Sequence, residues 1–455
     1  MEDRSFSRHI AQALEAQQRF RASRPPFTPA ASLAVEEERL SAVLRTLEER
    51  LTDNYPFFHP SYAGQMLKPP HPAATAAYLM AMQINPNNHA RDGGPATAAL
   101  ELESVAAIAR MFGFETHLGH LTSSGTIANL EALWVARSLH PERSIAFSSN
   151  AHYTHGRMCQ VLGVKGIVLD SFDRFEEAVR THDIGTVVVT LGTTSTGELE
   201  PLAALLPAAR RLGVRVHIDA AYGGFFTLLS QGNAPSVEPS GFSLVRECDS
   251  VVVDPHKHAL QPYGCGCVLF RDPAVGRFYK HDSPYTYFTT AELHLGEISL
   301  ECSRAGAAAA ALWATLQCFP LERHRGLGPV LQECRDAALS FSALLAGSAL
   351  LAQYRPPELD IVTYLPRTAP FTATAVTAMT DDIFTMLMND PADPVYLATL
   401  SVPSDAVRKY HPSFVPDAPT TRILRSVLMK PEHAPYVPEL FRRVEYEVRR
   451  RTEQM

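Results

Sequence analysis

"VVVDPHKHALQPYGCGCVLF" (residues 251–270) carries one lysine between two histidines at the end of a valine run. Val251 to Val253 read as a buried β-strand, and Cys267 to Phe270 read as another. Lys257 therefore leaves one strand end just before the chain turns back. Three readings are open: a solvated turn, a metal site bracketed by His256 and His258, or a nucleophilic amine. A metal needs three or four ligands, and the two histidines would face opposite sides if the strand continued through them. A lysine desolvated at a strand end has a lowered pKa and a free amine available for attack.

Outward from this stretch, from about 118 to 272, short apolar runs alternate with helical stretches. "HLGHLT" precedes "IANLEALWVARSL", "SIAFSS" precedes "HGRMCQVLG", and "TVVVTLGT" precedes "LAALLPAARRLG". Strands alternating with helices predict βαβ units and a mostly parallel sheet buried on both faces. Ligands of such sheets bind beyond the carboxyl ends of the strands. Residues 1–75 read as a helical arm, broken at Pro25, Pro26 and Pro29, followed by the aromatic loop "NYPFFHPSYAGQMLKPPHPA". Residues 76–325 form the large domain. Residues 326–455, with strand-like "YLATLSVP" and "TTRILRSVLMK" and the amphipathic "YVPELFRRVEYEVRRR", form a smaller C-terminal α/β domain.

The bulk numbers narrow the class. The chain has 455 residues, 46% apolar and 20% charged, as in ordinary globular proteins of more than one packed unit. A net charge of −7 disfavours a nucleic-acid partner. No run approaches the roughly 20 apolar residues of a membrane helix, and the N-terminus has no apolar signal core. Seven scattered cysteines fit a reducing cytoplasm better than a disulfide framework. Cys265 and Cys267 read as small apolar residues.

Chemistry is therefore sought at the strand ends. "TSSGTIAN" sets Ser124, Gly125 and Thr126 before a helix, either as an N-cap or as an anion cradle. "NAHYTHGR" brings out His152, either a structural residue or a ring that stacks on a planar ligand. "LGTTSTGELEPL" offers Thr194 in what is otherwise a Thr/Gly turn. "HIDAAYGG" buries Asp219, either a loop cap or the partner of a protonated ring nitrogen. A phosphate cradle, a stacking ring, a buried acid and a lysine together suit pyridoxal phosphate (PLP), which lysine binds as a Schiff base and aspartate pairs at the pyridinium nitrogen.

At these residues the sequence resembles the group II amino-acid decarboxylases (glutamate, aromatic and tyrosine decarboxylases), from "HPSYAGQM" at 59 to "CSRAGAAAAALWATL" at 316. The resemblance implies the aspartate-aminotransferase-like PLP fold type I, with a mostly parallel seven-stranded sheet. It implies an amino-acid substrate losing its α-carboxylate as CO2, through a Schiff base on Lys257 and a quinonoid intermediate. Asp219 would pair with the ring nitrogen, Ala221 would line the ring's underside and His152 its upper face. Ser124, Gly125, Thr126 and His256 would hold the phosphate, with Thr194 near the ring. A tyrosine of "YKHDSPYTYFTTAELHLGE" (279–297), Tyr285 or Tyr287, would protonate the product carbon, with His152 as the other candidate. A homodimer is implied. A Cα–Cβ lyase, an aminotransferase and a non-catalytic PLP-fold binding protein are the alternatives on this fold.

The sequence departs from these relatives at three places. Asp254 stands where many carry asparagine, and a carboxylate repelled by phosphate should point elsewhere. His258 stands where an aromatic or aliphatic residue is common. Thr126-Ile127 replaces Ser-Glu. For the substrate, Phe57, His59 and Tyr62 would favour an aromatic side chain, whereas Arg91 or Arg425 would anchor an acidic one.

Overall fold

The computed structural model describes residues 3–280 and 298–454. Seven strands form the main sheet: β1 (Leu118–Thr122), β2 (Ser144–Ser148), β3 (Gly166–Leu169), β4 (Ile184–Thr190), β5 (Arg215–Asp219), β6 (Ser250–Val253) and β7 (Gly266–Phe270). Their order is β1-β7-β6-β5-β4-β2-β3, and β7 alone runs against the others. The valine runs explain the burial. Val187, Val189, Val251 and Val253 enter one core, while Val188 and Val252 enter clusters on the opposite face. A strand covered on both faces has no solvent side, so its sequence is a continuous β-branched run rather than an alternating one. Each buried valine contributes at most about 1.5–3 kcal/mol.

The second sheet, with order β10-β11-β9-β8, is antiparallel throughout: β8 (Leu351–Arg355), β9 (Ile361–Pro366), β10 (Ala398–Pro403) and β11 (Thr420–Val427). Helices Leu327–Gly347, Ala373–Met388 and His433–Gln454 pack with it and with one another. At the other end, helices Asp3–Ala22 and Glu37–Leu51 form the arm. The second of these buries none of its residues. No helix among the described residues is long and apolar enough to cross a membrane.

One buried polar bridge ties the second sheet to the lysine turn, and it gives His258 a physical role. Asp360, at the start of β9, accepts from Tyr222 Oη (2.6 Å) and faces His258 Nε2 (2.9 Å). His258 Nδ1 faces the Tyr222 carbonyl (3.0 Å). Both ring nitrogens therefore face acceptors; burial lowers the imidazole's pKa, against the opposing pull of Asp360 and the Tyr222 carbonyl. All three residues are almost fully buried. Removing one partner leaves the others unsatisfied. Asp360→Ala should cost about 3–5 kcal/mol of stability, read as a lower denaturant midpoint; a midpoint equal to wild type would contradict the bridge.

Candidate active site

The carboxyl ends of β1, β2, β4, β5 and β6 open onto one cavity of about 290 Å³, near the lower end of the range of about 300–1,000 Å³ for small-molecule sites. Its walls contain Ser124, Gly125, Thr126, His152, Thr194, Asp219, Ala221, His256 and Lys257, the whole predicted set apart from the loop tyrosines. Tyr285 and Tyr287 lie outside the described residues.

Asp219, the last residue of β5, is 4% exposed. Its Oδ2 lies 2.8 Å from His155 Nε2, and its Oδ1 accepts from the Ala221 N–H at 3.1 Å. Burial pushes the carboxyl up, but the His155 hydrogen bond, the electrostatic pull of His155 and Lys257, and the Ala221 N–H outweigh it. The carboxyl is held well below the usual carboxylate range. His155 is absent from the sequence-level set. It stands three residues after His152, in the first turn of the helix Thr154–Leu162, and its N–H bonds the His152 carbonyl (3.1 Å). That spacing was the available signal.

The helix Gly125–Leu139 begins at the cavity. Ser124 caps it, its Oγ accepting from the Ile127 N–H (3.3 Å), so the cap and the cavity wall are the same residue. The Gly125 and Thr126 amides remain as the unsatisfied donors of a helix start. The helix is pinned from beneath. Asn129 Nδ2 donates to the Gly125 carbonyl (2.9 Å), and Asn129 Oδ1 accepts from His217 Nε2 (2.8 Å) on β5. His217 Nδ1 meets Ser250 Oγ (2.9 Å), and burial lowers its pKa to about 3, so the ring is neutral.

His152 Nδ1 accepts from the Thr154 N–H (3.3 Å) and lies 2.9 Å from Thr154 Oγ1, which leaves Nε2 for the cavity. Burial lowers its pKa. Gly192 lines the wall with φ of +97°, and a Cβ there would sit 2.8 Å from Gly223, so only glycine fits. Glu200 accepts from Ser148 Oγ and from the Thr190 N–H (2.6 Å), joining the ends of β2 and β4. Burial raises its carboxyl to about 7.

The lysine turn differs from expectation in three ways. Lys257 is paired: its Nζ lies 3.1 Å from Asp254 Oδ2. It is therefore not the lone desolvated amine that the sequence suggests. Asp254 does not point elsewhere but lines the cavity against Gly125. The two histidines do not converge. His256 Nδ1 donates to the Cys265 carbonyl (2.8 Å), whereas His258 turns to Asp360.

The substrate-side residues also fall differently. Phe57, Tyr62, Tyr55 and Tyr396 stack on one another, and His59 packs on Tyr436; none of Phe57, His59 and Tyr62 lines the cavity. Arg91 is exposed. Arg425 is buried beside the cavity and donates to the carbonyls of Thr194 (2.6 Å), Ser195 (2.8 Å) and Gly64 (3.3 Å).

The cavity offers free amides at a helix start, an anionic carboxylate at its far wall, an amine between them and a buried Thr190 hydroxyl without a partner. Those donors and that charge fit pyridoxal phosphate. Fold and site together define the class of PLP-dependent enzymes. The conserved-domain model of the pyridoxal-dependent decarboxylases matches residues 31–349, and the chain belongs to that family. It is a PLP-dependent amino-acid decarboxylase, a carboxy-lyase. It is 28% identical over 342 residues to the L-aspartate decarboxylase of Thermococcus kodakarensis, covering 73% of this chain and 85% of that protein. It is 29% identical over 319 residues to a probable L-tyrosine/L-aspartate decarboxylase of Methanoculleus marisnigri, covering 68% and 82%. In fold it matches crystal structures of mouse CSAD (TM-score 0.77, 16% identity, 98% of each chain) and of Oryza sativa TDC with PLP and tryptamine (TM-score 0.77, 17% identity, 98% of this chain and 99% of that one).

His217 yields a pH prediction. A histidine held neutral in the fold, with pKa about 3 against about 6.5 unfolded, favours unfolding as the unfolded state takes up its proton. Stability should fall as pH drops from about 6.5 towards 3, with this residue contributing on the order of 4 kcal/mol across the window. Acid titration of His217→Gln should show a shallower slope; an unchanged slope would contradict the neutral assignment.

Proposed function

We propose that Lys257 holds pyridoxal phosphate covalently and that the amino acid decarboxylated is acidic, of the aspartate class. When bound, the cofactor supplies a protonated pyridine ring that draws electrons from the bond broken at the substrate Cα. Asp219, held anionic, keeps the proton on the ring nitrogen. His152 would cover one face of the ring and Ala221 the other, with Thr194 at its edge, and Ser124, Gly125, Thr126 and His256 would hold the phosphate end. His152 Nε2 is one candidate to deliver a proton to Cα; Tyr285 and Tyr287 are the others.

The observation that carries the substrate class is Arg425. Its guanidinium is buried and bonds the carbonyls of Thr194 and Ser195 beside the cavity and of Gly64, with no ion pair to a carboxylate among the described residues, Asp360 acting on it only through the electrostatic field. A buried guanidinium bonded only to neutral acceptors is suited to a substrate carboxylate. The names of the two relatives, both including L-aspartate, support the same reading.

The same reading divides the chain into arm (1–75), cofactor domain (76–325) and small domain (326–455), a division supported by the second sheet's own apolar cluster, with Leu359, Ile361 and Val427 joining it to the core of the first sheet. It makes the protein a homodimer. Leu40, Val43, Leu44, Leu47 and Leu51 lie on one stripe of the helix Glu37–Leu51, and all are exposed, so a second copy of the chain is the natural cover. Seven unpaired cysteines support a reducing, cytoplasmic setting.

The test is CO2 release from aspartate, glutamate and tyrosine by wild type and by Arg425→Gln. Aspartate should be the best substrate, and the substitution should raise its KM by roughly thirtyfold or more, the equivalent of at least about 2 kcal/mol of lost carboxylate binding. Equal use of tyrosine, or an unchanged KM, would overturn the acidic-substrate reading.

A further inference from the structure

Asp254 creates an electrostatic conflict at the phosphate end of the cavity. The carboxylate is 3% exposed. Its Oδ2 pairs with Lys257 Nζ at 3.1 Å and lies 3.6 Å from His256 Nε2. Its Oδ1 is buried and has no hydrogen-bond partner among the described residues. Both oxygens press on Gly125, the first residue of the helix whose amides face the cavity: a Cβ at that position would sit 2.5 and 2.6 Å from them. A phosphate seated on the Gly125 and Thr126 amides would therefore share the helix start with a second anion. Two anions at one helix start repel, and a carboxyl beside a like charge relieves the repulsion by taking a proton. The protonated carboxyl then has an O–H to donate, and a phosphate oxygen is a strong acceptor.

We propose that Asp254 is a proton-linked phosphate ligand: it serves as the counter-ion of Lys257 until a phosphate monoester enters, then takes one proton from solvent and donates it in a hydrogen bond to the phosphate. The proposal rests on the cofactor site described above. The groups facing Asp254 leave it this freedom. Among the described residues, Lys257 is the one cation at hydrogen-bond distance. His256 and His152 are held towards the neutral form by burial, and Tyr263, Cys265 and Cys267 are held protonated by burial. None of them supplies a second positive charge to balance the carboxylate and the phosphate together.

The test compares pyridoxal 5'-phosphate with pyridoxal. Both carry the same aldehyde, so the reaction with Lys257 cancels in the ratio of their affinities. Affinity is read from the visible absorption of the bound cofactor, for wild type, Asp254→Asn and Asp254→Ala, between about pH 6 and pH 8.5. Asp254→Asn should raise the phosphate-to-pyridoxal affinity ratio about tenfold over wild type near pH 8, with the gap closing towards pH 6. In weakly buffered solution near pH 8, binding of the phosphate form should take up one more proton in wild type than in Asp254→Asn. Equal phosphate-to-pyridoxal ratios in wild type and Asp254→Asn across this range would overturn the proposal, as would a substitution that weakens both probes alike. Failure of the underlying site reading looks different: wild type would then show no visible band with either probe.

Discussion

A buried carboxylate must find opposite charge or donors, and the site is organised around that requirement at Asp219. β5 carries this residue to the end of a sheet covered on both faces, where a lone anion would protonate. His155, from the helix that follows β2, and the Ala221 amide from its own turn hold it as an anion. β6 lies beside β5 and ends in the lysine turn, so the same sheet order that buries Asp219 brings Lys257 to the same cavity. The distance between acid and amine is thus set by strand pairing, which is stiff, rather than by loop conformation.

Two further buried polar systems set the limits of that crevice. His217 and Asn129 fix the helix whose start, at Gly125, lines the cavity. His258, Asp360 and Tyr222 tie the residue after Lys257 to the second sheet. A shift of the second sheet relative to the first would therefore move the backbone of the lysine turn and the Tyr222 wall together. The site depends on both sheets, although every residue of its wall comes from the first.

Much of this was legible in the sequence. Unbroken runs such as "TVVVT" and "SVVVD" betray strands with no solvent face, and the residues after them are the cavity wall. What escaped were partners brought from distant segments. His258 has a role only through Asp360, about a hundred residues on, and Arg425 only through the carbonyls of Thr194 and Ser195. Neither pairing leaves a local pattern. Asp254 was misjudged because repulsion by phosphate was weighed without its pairing to Lys257. Phe57, His59 and Tyr62 were read by residue type alone, and their rings pack against other rings rather than the cavity.

The most direct measurement is chemical. Borohydride reduction of the holoenzyme, followed by proteolysis and peptide mass mapping, fixes the cofactor to whichever lysine carries it. A phosphopyridoxyl group on the peptide containing Lys257, and on no other, is the expected result. A label on the half-buried Lys68 or the buried Lys430, or no label at all, would contradict the site.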